Sequence, residues 1–330
     1  MTLGTHVHHP LAHWAHTRPH AVALASESQC LTFADLHARV QQRAAQLATA
    51  QAPATVLLPG TGGVVHTLVE FLAVLTAGRC AAVGDPAWPA PIAQSVQAAI
   101  AALPPLLPPP APGQEPFYIG FTSGSSGMPK GFRRHHQSWV ESFRVSQHDF
   151  GEAMAGRIVA PGSLTASLFL FGALLGLWTG AGSVVQEHFS AERTLRDLAS
   201  APATVLVAVP SQLLLMLQWA QRRHCAPVAQ VQLVLISGAR WMREHTPALR
   251  QLFPQARIVE FYGASEASYV AWMDASEDAP PQAVGRPFSN VALRIGEHPH
   301  TPVPQGEAGR IWVRSPMLFM DYVHAIDGSA

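Results

Sequence analysis

Lysine is almost absent from this sequence: of 21 basic residues among 330, only Lys130 is a lysine and the rest are arginines. Charge is scarce altogether, at 13% of residues, and balances at 21 basic against 21 acidic side chains. That balance excludes a strongly basic nucleic-acid face and a polybasic membrane anchor. Cysteine is limited to Cys30, Cys80 and Cys225. Three widely spaced thiols exclude a disulfide framework and a Cys-x-x-Cys zinc pair, and they predict a reducing, cytoplasmic setting. No apolar run is long enough to cross a bilayer, and the N-terminal "MTLGTHVHHPLAHWAHTRPH" lacks a signal-peptide core. A soluble, intracellular protein is expected, of unspecified oligomeric state.

What is present is a core-forming composition, 48% hydrophobic, enough for one large domain or two modest ones. Histidines at 6, 8, 9, 13, 16 and 20 crowd the N-terminus. Without carboxylate or cysteine partners or a fixed ligand spacing, they read as a solvated terminal segment rather than a metal site. The spacing of Leu36, Val40, Ala44 and Leu47 in "LTFADLHARVQQRAAQLATA" (31–50) predicts an amphipathic helix, with Asp35 at its dipole-favoured start. Short apolar runs then alternate with helical spacing. "ATVLLPG", "CAAVGDP", "GRIVAPG", "GSVVQEHF", "ATVLVAVP", "VQLVLISGA" and "ARIVEFYGA" are strand-like, while "VVHTLVEFLAVLTAGR", "SQLLLMLQWAQRR" and "MREHTPALRQLF" are helical. This alternation predicts an α/β fold with mixed, largely parallel sheets flanked by helices. The proline-rich "LPPLLPPPAPGQEP" (103–116) can form neither helix nor sheet and reads as a surface linker, with an SH3-type ligand as the lesser reading. From about 283 the alternating "VALRIGE" and "GRIWVRS" predict a small antiparallel or barrel-like portion. The expected organisation is an α/β body over 1–282, with two sheet–helix subdomains, and a β-rich portion over 283–330.

The lone lysine lies in "FTSGSSGMPKG" (121–131), which packs glycines, hydroxyls and one cation into eleven residues. Its glycines let backbone N–H groups approach an anion, Thr122, Ser123, Ser125 and Ser126 offer hydroxyls, and Lys130 supplies a mobile charge. A P-loop kinase needs its lysine directly after the last glycine of the loop. Lys130 follows Gly127 by three residues, so that reading fails. A flexible Gly/Ser linker is the plain alternative.

The companions of the loop weaken that alternative. "FTSGSSGMPKG" resembles the signature phosphate loop of the adenylate-forming enzymes, the superfamily of acyl-CoA synthetases, peptide-synthetase adenylation domains and luciferases. "YGASE" (262–266), "VGRPFSNVALRI" (284–295) and "GEAGRIWVR" (306–314) resemble further motifs of that superfamily in the same order. The resemblance, greatest to the acyl-CoA synthetases, implies the superfamily's large N-terminal domain and specific roles. Thr122, Ser123, Gly124, Ser125, Ser126, Gly127 and Lys130 would hold the phosphates of ATP. Tyr262 would stack on adenine, with Ser237, Gly238 and Ala239 opposite and Glu260, Phe261, Gly263 and Ala264 completing the nucleotide site. Ser265 would bond the α-phosphate, and Glu266 would hold Mg²⁺. Thr122, Lys130, Ser265 and Glu266 are thus the implied catalytic residues.

The implied reaction is ATP-dependent conversion of a carboxylic acid to acyl-AMP, followed by thioester formation with CoA or a carrier protein's phosphopantetheine. Where amino-acid-activating relatives carry an aspartate, "RIVAPGSLTASLFLFGALLGLWTGAGSVVQ" has no acid, which argues against an amino-acid substrate. Ser163 and Leu164 stand where many acyl-CoA synthetases have a histidine. The apolar "SLFLFGALLGLW" is either an acyl or aryl pocket or plain core, so the expected substrate is a fatty or aryl acid. Asp327 is not followed by the superfamily's T-G-D, and no second lysine exists. The chain is therefore expected to lack the mobile C-terminal domain and to adenylate slowly alone. A non-catalytic adenylate-binding remnant is the alternative.

Overall fold

The computed structural model describes residues 4–323 apart from 105, 107, 124–127, 276–279 and 281. The larger of its two main sheets has nine strands. These are β1 (Val22–Ala25), β2 (Cys30–Thr32), β7 (Arg157–Ala160), β8 (Ser183–Val185), β9 (Thr204–Ala208), β10 (Val231–Ile236), β11 (Arg257–Ala264), β12 (Ser268–Asp274) and β13 (Arg286–Pro287), in the order β13-β12-β11-β10-β9-β7-β8-β1-β2. The six central strands, β11 through β1, run parallel, and antiparallel strands close both edges. Strands β7 to β10 are almost wholly apolar and buried on both faces, as a helix-covered parallel sheet requires.

The second sheet joins β3 (Thr55–Leu58), β4 (Cys80–Val83), β5 (Pro116–Ser123), β6 (Pro129–His135) and β17 (Asp321–Val323) in the order β17-β6-β5-β4-β3. A third, three-stranded sheet holds β14 (Ala292–His298), β15 (Thr301–Pro302) and β16 (Arg310–Arg314). The residues after 283 therefore contribute to all three sheets. Their own sheet is open, because three strands cannot close a barrel.

Helices α1 (Pro10–Thr17), α2 (Phe33–Thr49), α3 (Val64–Thr76), α4 (Ala90–Ala101), α5 (His136–Phe150), α6 (Ser167–Thr179), α7 (Ala191–Leu198), α8 (Pro210–Arg223) and α9 (Thr246–Leu252) connect and cover the strands. Helix α2 buries Leu36, Val40, Ala44 and Leu47 as the spacing predicts, and Thr32 and Asp35 cap its start reciprocally. Helix α6 is buried from Phe169 to Trp178 and forms core between the main sheets.

The first of the N-terminal histidines are packed rather than a solvated tail, whereas His16 and His20 are exposed as expected. His6 stacks on His9 with ring centroids 4.2 Å apart and lies 4.4 Å from His136 of α5, while the Val7 amide donates to His136 Nδ1 at 3.2 Å. Helix α1 then docks on the end of α6, Trp14 Nε1 donating to the Trp178 carbonyl at 3.0 Å. Apolar packing of α1 overrides the polar composition that suggested solvent. No helix among the described residues is long and apolar enough to cross a membrane.

Candidate functional site

The motif segments meet at the carboxyl ends of β10 and β11, where open parallel sheets form their crevices. Ser237 follows β10 directly and is pinned by its hydroxyl to the Phe261 carbonyl at 3.0 Å. Gly238 then turns at φ +84, where an added Cβ would press on Val209, so glycine is needed there. Ser237, Gly238 and Ala239 face Glu260, Phe261, Tyr262 and Gly263 across a cleft of about 340 Å³. Tyr262 is 45% exposed and lines this cleft. Glu260 is turned aside by an ion pair with Arg243 at 2.8 Å.

A second cleft of about 240 Å³ shares Ser237, Gly238, Phe261 and Gly263 with the first and adds Ala264 and Ser265. The Ser265 hydroxyl lies 3.1 Å from that of Ser167, the first residue of α6. Its carbonyl accepts from Arg134 at 2.6 Å. Arg134 is fully buried in β6 and also donates to Ser138, Ser268 and the Met317 carbonyl. Burial pulls its pKa down to about 9, and the nearby Tyr118 and Glu266 push it up, so it stays charged at neutral pH. This one guanidinium ties together β6, the turn after β11 and the approach to β17.

Strands β5 and β6 form a hairpin in which Thr122 pairs with Lys130 and Phe121 with Gly131. Gly131 is thus strand rather than loop, and Lys130 projects from β6. Its Nζ sits 3.5 Å from the centroid of the Tyr322 ring in β17. The Tyr322 hydroxyl in turn donates to Glu266 Oε1 at 3.0 Å. Burial raises the Tyr322 pKa, and the hydrogen bond to Glu266 raises it further, so the phenol keeps its proton at neutral pH. Strand β17 is held in register by Arg133, which grips Asp321 with two hydrogen bonds. Gly124, Ser125, Ser126 and Gly127 lie outside the described residues, as does Asp327.

The structure therefore gathers Lys130, Ser265, Glu266 and the two facing segments at one place. Arg134 and Tyr322 were missed by sequence reasoning, since their partners lie as much as 183 and 192 residues away and no local pattern marks them. No group of three metal-binding side chains occurs among the described residues. Glu266 spends one carboxylate oxygen on Tyr322.

Residues 90–323 match the model of the AMP-binding enzymes. The chain belongs to that family. Among curated members, an uncharacterized acyl-CoA ligase, YhfT, of Bacillus subtilis (strain 168) is 37% identical over 213 residues, 64% of this chain and 43% of its own length. A putative long chain fatty acid-CoA ligase, VraA, of Staphylococcus epidermidis is 34% identical over 209 residues, again 43% of its length. This AMP-binding chain thus matches less than half the length of those relatives. Its fold superposes on VinN in complex with L-aspartate with a TM-score of 0.82 at 22% identity, covering 98% of this chain and 92% of that one. The nonribosomal peptide synthetase FmoA3, solved with AMPPNP, gives 0.81 at 19% identity over 99% of this chain and 39% of that one.

Proposed function

We propose that this chain binds ATP and a carboxylic acid and joins them as acyl-AMP, with CoA as the thiol acceptor that the acyl-CoA ligase relatives suggest. The observation that carries the reading is the meeting of Lys130 and Glu266 on Tyr322, beside a two-lobed cleft built by the motif segments. One lobe, between Ser237–Ala239 and Tyr262, takes the adenosine, with the exposed tyrosine ring as stacking platform. The lobe at Ser265 takes the acid.

A carboxylate oxygen of the acid attacks the α-phosphorus, and the bond to the β-phosphate's bridging oxygen breaks, its electrons leaving with pyrophosphate. Lys130 and the Thr122 hydroxyl meet the charge that accumulates on the departing phosphates, where fixed donors contribute most. Ser265 holds an α-phosphate oxygen. Glu266 suits Mg²⁺, because that ion is commonly held by one or two carboxylates together with substrate phosphates and waters. Mg²⁺ would supply charge neutralisation on the phosphates, and Tyr322 would keep Glu266 in place for it. In a second step a thiol sulfur attacks the acyl carbonyl and AMP departs with the bonding pair.

Calorimetric titration with ATP and Mg²⁺ tests this. Saturable binding that weakens about tenfold or more in Lys130→Ala, as loss of a charged phosphate contact predicts, is expected. Absence of saturable nucleotide binding by the unaltered chain would defeat the reading.

A further inference from the structure

The cleft beside Ser265 has no charged side chain among its described lining residues. Its polar side chains there are hydroxyls, and all four serines are already engaged: Ser167 with Ser265, Ser268 with Arg134, and Ser237 with the Phe261 carbonyl. The remaining wall is aromatic. Trp139 and Phe171 meet edge to face at 5.3 Å, Phe171 and Tyr269 at 5.3 Å, and Phe261 and Tyr269 at 4.9 Å. The Tyr269 hydroxyl is engaged by Ser146, so it offers the cleft nothing polar.

Trp139 is itself buried among aromatic side chains. Phe117 and Tyr118 back it at 5.2 Å each, and both are fully buried, as is Phe143 beyond. The cleft, at about 240 Å³, falls under the ~300 Å³ floor typical of drug-sized ligand pockets.

We propose that this cleft accepts a compact carboxylic acid with an uncharged tail, a single aromatic ring or a short alkyl chain, and that Trp139 sets its depth. The assignment rests on the adenylate-forming reading above and narrows it. An aryl tail meets ring edges and faces at the separations that aromatic pairs favour. An α-ammonium group would enter a pocket without a counter-charge and lose its hydration uncompensated. A long alkyl chain would have to push Trp139 into a close-packed aromatic layer that has no room to yield. This sets the chain apart from the staphylococcal relative named for long chain fatty acids.

The test uses non-hydrolysable sulfamoyl-adenosines, which carry the acyl group and the nucleoside without the β- and γ-phosphates. Binding to the whole chain is measured for adenosine sulfamate alone and for its benzoyl, hexanoyl, palmitoyl, phenylpropanoyl and phenylalanyl derivatives. Benzoyl and hexanoyl groups are expected to tighten binding about tenfold or more over adenosine sulfamate, since each ~1.4 kcal/mol of buried contact is a factor of ten. The palmitoyl group adds nothing, and phenylalanyl binds about tenfold more weakly than phenylpropanoyl. In Trp139→Ala a decanoyl derivative gains affinity while the benzoyl one loses it.

If the palmitoyl compound binds tightest to the unaltered chain, or phenylalanyl outranks phenylpropanoyl, the compact-acid assignment is overturned while the adenylate reading stands. If no compound binds, adenosine sulfamate included, both fall. The ranking on the unaltered chain decides even if Trp139→Ala fails to fold.

Discussion

Tyr322 joins two functional candidates through two different parts of one side chain, its ring under Lys130 and its hydroxyl on Glu266. The two contacts can be removed separately. Tyr322→Phe keeps the ring and frees Glu266, so the Mg²⁺ concentration for half-maximal ATP binding should rise about tenfold, as losses of such supporting hydrogen bonds do. Tyr322→Leu also removes the cation's platform, and ATP affinity should then fall further, by roughly three- to thirtyfold, even at saturating Mg²⁺. Equal effects of the two substitutions would show that the ring does not hold the lysine. Arg134 is the other keystone. Arg134→Met would strand the Ser265 and Met317 carbonyls without their buried donor, and a loss of about 3 kcal/mol or more in urea unfolding is expected.

At the scale of elements, α6 packs on β8 so closely that a Cβ at Gly176 would come 2.2 Å from Ser183 Oγ and 2.5 Å from the Gly182 carbonyl. Gly176→Ala should push the helix off the sheet and cost roughly 1–3 kcal/mol, read as a lower denaturation midpoint at unchanged slope. The elements legible in the sequence were those whose apolar residues keep a helical period or form a short unbroken run. Helix α2 and strands β3, β4 and β7 to β11 are such cases. Helix α5 hid its inner face because Ser138, Ser142 and Ser146 are fully buried there, Ser142 and Ser146 each bonding the carbonyl one turn back. A serine at a core position erases the hydrophobic pattern without leaving the core. Strand β6 was illegible for a related reason: "PKGFRRH" is polar, and the burial of Arg134 becomes reasonable only with Ser265, Ser268 and Met317 beside it. The candidate site could be proposed from the sequence only where motif spacing is local, at Lys130 and at Tyr262 to Glu266. Trp139, which lines the cleft beside Ser265, carried no local mark.

Across the whole molecule, the N-terminus is fastened to α5 by neutral imidazoles. Burial above all, with neighbouring histidines adding, lowers the pKa of His8 to about 3 and that of His136 to about 2. His9 is also lowered, chiefly by burial, although Glu115 opposes this, and His135 is lowered by burial and by Arg134. Glu115 lies 3.5 Å from His6 at the rim of the cluster. Since the folded pKa values lie below the ordinary value of 6.5, the unfolded chain binds more protons below that pH. Stability is therefore complete above about pH 6.5 and declines from there towards about pH 2 to 3. Lowering the pH from about 7.5 to about 5 should cost on the order of 2 kcal/mol for each ring that stays neutral. Urea titrations at the two pH values measure this, and His136→Gln should flatten the dependence. An unchanged midpoint would mean that the cluster takes up protons without loosening.

The pairing of β17 with β6 also sets a clock. Arg133 must wait for Asp321, 188 residues later in the chain, before the platform under Lys130 exists. On a ribosome working at about 5–20 residues per second, that interval is roughly 10 to 40 s. During it strands β7 to β11 of the large sheet are made while β6 is an unguarded edge, so the nascent protein has most of its parallel sheet before it has its lysine in place. Nucleotide binding should accordingly be the last signal recovered on refolding, after the far-ultraviolet circular dichroism has returned.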